Sequence, residues 1–233
     1  MGIKSKKGIL VGGGPINKGF LRKELESGYD LLMAVDGGGK PLYDLGYIPN
    51  IMLGDFDSLP PRYREFFADK GAELFTYQRE KDWTDLELGM DLALSRKIEE
   101  IQVFGGLGGR LDHTLANLSL LYKAKLQKTE AIMIGSEQIV TFLAPKEHII
   151  ITPFLDGHFS LLPYSSTVKG VSIAGAKYPL RNVTIELGST RGVHNEFIAT
   201  PVEIQIDSGY LLLIVEGLKH WPGGREIFQR PPA

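Results

Sequence analysis

Two aspartates one residue apart, in Ile51-Met52-Leu53-Gly54-Asp55-Phe56-Asp57-Ser58, are the residues of this chain best suited to chemistry. The apolar run before Gly54 reads as a buried strand that the glycine ends. Side chains alternate along a strand, so an extended Asp55-Phe56-Asp57 would project both carboxylates to one side. Two anions held together repel and need a counter-charge. Mg²⁺ is the expected one, a hard cation with oxygen ligands that often carries a substrate's phosphates. The plain alternative is a Gly-Asp turn with two solvated acids, and the neighbouring motifs decide between them.

Lys81-Asp82-Trp83-Thr84-Asp85 adds a third acidic centre. Asp82 is placed to cap a helix beginning near Trp83, with Asp85 three residues on as its capping-box partner. Glu or Gln is the commoner partner, which leaves Asp85 free to complete an oxygen cage with Asp55 and Asp57. Lys81 suits a surface charge and a phosphate contact equally. In Arg110-Leu111-Asp112-His113, Asp112 reads as a helix cap, while the planar fork of Arg110 suits a phosphate. His113 reads as a packing residue, with general base as the alternative.

Three glycine- and aspartate-rich loops each follow an apolar run: Asp36-Gly37-Gly38-Gly39, Gly54-Asp55-Phe56-Asp57 and Gly105-Gly106-Leu107-Gly108-Gly109-Arg110. Ligands of a parallel sheet bind beyond the carboxyl ends of its strands, so the three loops would open onto one edge. Glycine lets a ligand approach the backbone, whose N–H groups suit phosphate oxygens. Neither a phosphate-binding Gly-Lys-Ser/Thr loop nor a full Gly-x-Gly-x-x-Gly fingerprint is present.

The elements that must hold these loops follow from the hydrophobic pattern. Gly8–Val11, Leu31–Val35, Ile51–Leu53, Ile101–Phe104 and Ala131–Ile134 read as strands. Helical stripes fall around Phe20, Leu21 and Leu25, then Leu86, Met90, Ala93 and Leu94, then Leu115, Leu118, Leu121 and Tyr122. Strands alternating with helices predict a parallel, Rossmann-like α/β domain over residues 1–135. Beyond Gly135 the rhythm changes to strand-like runs at 149–151, 158–162, 184–187, 202–206 and 211–215, separated by Gly, Pro, Asp and Ser. That pattern predicts an antiparallel β-sandwich over residues 136–233.

The bulk properties narrow the partners. With 26 basic and 28 acidic side chains the 233-residue chain carries a net charge of −2, without the basic patch that nucleic acid requires. Cysteine is absent, which excludes disulfides, thiolate metal sites and a cysteine nucleophile. No apolar run approaches transmembrane length, and the run after Lys4, Lys6 and Lys7 meets Gly12-Gly13-Gly14-Pro15 too soon for a signal peptide. A cytoplasmic enzyme without a membrane partner is the expectation.

Taken in order, the four motifs Asp36-Gly37-Gly38, Gly54-Asp55-Phe56-Asp57-Ser58, Lys81-Asp82-Trp83-Thr84-Asp85 and Gly108-Gly109-Arg110-Leu111-Asp112-His113 resemble the thiamin pyrophosphokinase family. Lys177-Tyr178-Pro179-Leu180 and Gly188-Ser189 through Asn195-Glu196-Phe197 resemble its C-terminal signature. The resemblance implies an α/β domain followed by a β-sandwich, and transfer of a pyrophosphoryl group from ATP to the hydroxyethyl group of thiamin. It implies a homodimer whose thiamin site lies at the subunit interface. It also implies that Asp55, Asp57 and Asp85 serve Mg²⁺ and the triphosphate, and that Asp36, Gly37, Lys81, Thr84, Arg110 and Asp112 line the nucleotide side. Asn195 would meet the pyrimidine ring beside His194, where many bacterial members carry serine. Tyr178 and Trp221 are candidate aromatic faces for the thiazolium, and sandwich core or dimer contact is the other reading of each. A diphosphokinase for another heterocyclic alcohol, such as a hydroxymethylpterin, and a non-catalytic nucleotide sensor are the alternatives.

Overall fold

The computed structural model describes residues 5–57, 59–78, 82–152, 157–198, 201–220, 223 and 227–230. Ser58, Lys81 and Trp221 lie outside them. The chain divides into two compact units, Met1–Ser136 and Glu137–Ala233.

The first unit alternates strands and helices: β1 (Lys7–Val11), α1 (Lys18–Glu26), β2 (Leu31–Val35), a 3₁₀ turn (Asp36–Gly38), α2 (Gly39–Leu45), β3 (Ile51–Gly54), α3 (Pro61–Asp69), β4 (Glu73–Thr76), α4 (Asp85–Ser95), β5 (Glu100–Phe104), α5 (Leu111–Leu126) and β6 (Glu130–Ile134). Its strands lie in the order β6-β5-β1-β2-β3-β4, and every pairing among them is parallel. Parallel strands covered on both faces carry unbroken apolar runs rather than alternating ones. Ile9, Leu10, Leu32, Met33, Ile51, Met52 and Val103 are accordingly fully buried. The edge strand β4 is the exception, with Glu73, Leu74 and Thr76 exposed.

The chain runs outward from β1 through β2, β3 and β4, then returns to β5 on the other side of β1. The connections leaving β1 and β5 therefore diverge, and the fold opens a crevice between them at the carboxyl ends of the strands. Two of the helices, α1 and α4, start at a side-chain cap. Asn17 caps α1, its Oδ1 accepting from Gly19 N (3.0 Å) and Phe20 N (3.2 Å). Thr84 caps α4, its Oγ1 accepting from Glu87 N at 3.2 Å. The capping residue is thus Thr84 rather than Asp82, with Glu87 at the position a capping box favours. Asp85 becomes the first residue of the helix.

The second unit contains β7 (Gln138–Leu143), β8 (His148–Ile151), β9 (His158–Pro163), β10 (Thr167–Ala174), β11 (Leu180–Glu186), β12 (Asn195–Glu196), β13 (Val202–Gln205), β14 (Leu211–Glu216) and β15 (Phe228–Gln229). They form two antiparallel ladders, β12-β9-β14-β7 and β11-β10-β13-β8-β15. In β13, Val202 and Ile204 are buried while Glu203 and Gln205 are exposed, the period of a strand with one wet face. Ile149, Ile151, Phe159, Leu161, Val168, Val171, Leu213 and Val215 are fully buried, which is the core expected between the layers of a β-sandwich.

Candidate active site

A cleft of about 400 Å³ opens at the β1/β5 divergence. Its floor is glycine: Gly12-Gly13-Gly14-Pro15 after β1, Gly37 after β2, and Gly105, Gly106, Gly108 and Gly109 after β5. Two of these loops are fastened together, with Gly12 N donating to Phe104 O (2.8 Å) and Gly14 N to Gly105 O (3.1 Å). A β-carbon at Gly14 or Gly105 would collide with the backbone of the opposite loop. Only glycine allows this approach. Asp36, Thr84, Asp85, Arg110, His113 and Asn117 supply the polar lining.

Asp36 is the most constrained of these. Its φ of 46° turns the chain from β2 into the 3₁₀ turn, a conformation aspartate tolerates better than most residues. A β-carbon at Gly54 would overlap Asp36 Oδ1, so the carboxyl lies directly against the end of β3. Burial, then the charge and hydrogen bond of Asp85, then the charge of Asp55, push the Asp36 carboxyl up to about 7, opposed by a hydrogen bond from Phe56 N–H. Its Oδ1 is buried with no hydrogen-bond partner among the described residues. Three carboxyls thus feel one another at the carboxyl ends of β2 and β3 and the start of α4. Such a group stores repulsion that a cation would relieve.

The Asp55 and Asp57 pair is not held as an extended strand would hold it. β3 ends at Gly54, and Phe56 adopts φ 59° with its ring buried. Burial of that ring outweighs continued extension, and the turn closes with Asp57 N donating to Asp55 Oδ1 at 3.0 Å. Asp55 is half-buried toward Asp36, and Asp57 is exposed. Among the described residues, no three acidic or histidine side chains already form a metal cage. The donor set nevertheless fits a hard divalent ion: several carboxylates, one of them with an orphaned oxygen.

Arg110 precedes α5 and forms a bidentate pair with Asp112, Nε to Oδ1 at 3.1 Å and Nη2 to Oδ2 at 2.6 Å. Arg110 and the N–H of His113 hold Asp112 down to about 2. Asp112 therefore sits inside the first turn and aims Arg110, whereas the cap expected of it is made by no side chain.

The remaining substrate candidates lie in the second unit. Asn195 is buried, its Nδ2 donating to Tyr178 O (2.7 Å) while its Oδ1 accepts from Tyr178 N and Glu196 N (both 3.0 Å). The amide thus grips the Tyr178 backbone, and the Tyr178 ring stays 55% exposed with Lys177 Nζ 5.5 Å from its centroid. His194 has φ 58°, its N–H donating to Ser160 Oγ (3.0 Å) and its ring 4.5 Å from that of His158.

Of the expected site residues, the cleft gathers Asp36, Gly37, Thr84, Asp85 and Arg110, with Asp55 close by. Reading the sequence missed the Gly12–Pro15 loop and Asn117. A glycine run straight after the first strand was the available signal for the loop. Asn117 offered none, because it stands in the middle of an ordinary helical stripe.

A parallel-sheet unit with an acidic, glycine-floored cleft at its divergence point, followed by an all-strand unit, is an arrangement suited to the phosphate-transfer class of enzymes. The comparisons narrow the class. The model of the thiamin pyrophosphokinase catalytic domain matches residues 22–134, and that of the thiamin pyrophosphokinase vitamin B1 binding domain matches residues 147–211. The chain belongs to the thiamin pyrophosphokinase family. It is 36% identical to the thiamine pyrophosphokinase of Bacillus subtilis (strain 168) over 208 residues, covering 88% of this chain and 96% of that one. It is 28% identical to thiamine pyrophosphokinase 1 of Oryza sativa subsp. japonica over 209 residues, 79% and 78% of the two chains. Solved structures agree. The Bacillus subtilis enzyme superposes with a TM-score of 0.80 at 31% identity, over 92% of this chain and all of that one. The Geobacillus thermodenitrificans enzyme does so with 0.79 at 30%, over 91% and 98%.

Proposed function

We propose that this protein transfers the pyrophosphoryl group of ATP to the hydroxyethyl oxygen of thiamin, giving thiamin diphosphate and AMP. One observation carries the reading: the cleft at the β1/β5 divergence brings loop glycines, Asp36, Asp85 and Arg110 of separate motifs to one place. Its glycine backbones suit the triphosphate and Arg110, aimed by Asp112, the charge on it. The thiamin hydroxyl attacks the β-phosphorus, the bond between that phosphorus and the oxygen bridging it to the α-phosphorus breaks, and AMP leaves. Asp57 accepts the hydroxyl proton. Such help is worth roughly 10²–10⁴ in rate, the remainder coming from alignment and charge neutralisation. Asp55, Asp57 and Asp85 would hold Mg²⁺, which when bound neutralises and aligns the phosphates.

In this reading residues 1–135 form a Rossmann-like ATP and Mg²⁺ domain. Residues 136–233 bind thiamin through Tyr178 and His194, with Asn195 acting on the site by holding the Tyr178 backbone, and complete a cytoplasmic homodimer. Leu111 and Leu115, 72% and 56% exposed one turn apart beside Arg110, support a dimer contact near the cleft.

The test is phosphorus NMR of protein mixed with thiamin, ATP and Mg²⁺. AMP and thiamin diphosphate should appear in equal amounts. ADP with thiamin monophosphate would overturn the attacked phosphorus, and the lack of any thiamin-dependent product would overturn the acceptor. Asp55→Asn and Asp57→Asn should each abolish turnover with the melting temperature retained.

A further inference from the structure

Asn117 occupies the second turn of α5, is buried, and lines the cleft. Its Nδ2 donates to Gly106 O at 2.8 Å. Taken with the two backbone bonds from the β1 loop, that contact completes a series. The carbonyls of Phe104, Gly105 and Gly106 each accept a donor from outside their own loop: Gly12 N, Gly14 N and Asn117 Nδ2. The carbonyls of two consecutive cleft-lining residues, Gly105 and Gly106, and that of Phe104 at the end of β5 before them are therefore compensated.

This matters because a peptide presents two opposite charges to a ligand. A phosphate gains from the N–H end and is repelled by an uncompensated C=O end, most strongly where water is excluded. The loop is also flexible by composition. Gly105, Gly108 and Gly109 have φ of 72°, 86° and 75°, and a glycine-rich loop loses much conformational freedom when ordered. A buried asparagine in a helix facing such a loop is costly unless its amide is used.

We propose that Asn117 is a positioning residue for the triphosphate: it fixes the Gly105–Gly109 loop and compensates the Gly106 carbonyl so that the loop accepts an anion. The proposal rests on the reading of the cleft as a nucleotide site. It goes beyond that reading by assigning phosphate affinity to a side chain that makes no charge.

The test is Asn117→Asp, which keeps the shape of the side chain and replaces its donor with an acceptor. Asn117→Ala serves as the second variant should the first not fold. Binding of ATP and of AMP with Mg²⁺ is measured by calorimetry, and KM for ATP, KM for thiamin and kcat by product assay. Affinity for ATP is expected to fall at least tenfold in Asn117→Asp and about threefold to tenfold in Asn117→Ala. AMP affinity and the KM for thiamin should stay within about twofold, because a loss confined to the phosphates is not what general loosening gives. ATP affinity within twofold of wild type in either folded variant would overturn the proposal, as would equal losses for ATP, AMP and thiamin. Wild-type protein that binds ATP but makes no thiamin diphosphate would overturn the function while leaving this test intact. Wild-type protein that binds no ATP would overturn both.

Discussion

At the scale of single residues, Asp36 shows a site arranged against the stability of its own fold. Its carboxyl is raised from 3.8 to about 7 by burial and by Asp85 and Asp55. The native state therefore holds more protons than the unfolded chain between those values, so this group's contribution to stability falls as pH rises through that window. Asp36→Asn removes the repulsion while retaining an acceptor for Phe56 N–H. Discounted for partial exposure, the gain is roughly 1 kcal/mol, or about 2–4 °C in melting temperature. We expect the variant to melt higher than wild type at pH 7.5 without Mg²⁺, with a flatter pH profile and no turnover. A lower melting temperature would contradict the repulsion. His194 makes a separate prediction. Its contacts to Ser160 and His158 lie in the second unit, so His194→Ser should alter KM for thiamin and leave KM for ATP within twofold.

At the scale of elements, the start of α4 couples folding to the site, because Thr84 caps the helix on which Asp85 is the first residue. Thr84→Ala should cost about 1 kcal/mol, seen as a fall of roughly 2–4 °C, and should raise KM for ATP as the helix start frays. Gly54→Ala should be more severe, since the new methyl would overlap Asp36 Oδ1. Turnover should be lost even if thermal melting shows a folded protein. The elements also show what the sequence could and could not reveal. β1, β2, β3, β5 and β6 were legible because strands buried on both faces must be continuously apolar. β4 was not, because an exposed edge strand has no such pattern. α2 is short and contains Pro41, and α3 buries only Tyr63 and Phe67 as a stripe. Both lack the repeat that announces a helix. The extended form expected of Asp55–Asp57 failed on Phe56, because local alternation cannot say that a ring will be buried by a turn. The four motifs were legible as a set, but Gly12–Pro15 and Asn117 were not, because their role depends on β1 lying beside β5. Strand order is a property of the whole sheet.

At the scale of the molecule, the exposed leucines at the start of α5 give the dimer reading its test. Light scattering should give twice the chain mass for wild type, and Leu111→Lys combined with Leu115→Lys should shift it toward the monomer. A double variant that stays fully dimeric would place the contact elsewhere. Among the described residues no helix is long and apolar enough to cross a membrane. The acidic cluster at the ends of β2 and β3 has a last consequence, concerning lifetime rather than rate. On the proposed reading, molecules with an empty cleft would carry the full repulsion, and those with cation and nucleotide bound would not. The empty population is then the one nearest to local opening, and the one a protease would cut first. Supply of nucleotide would thus set how long each copy survives as well as how fast it works.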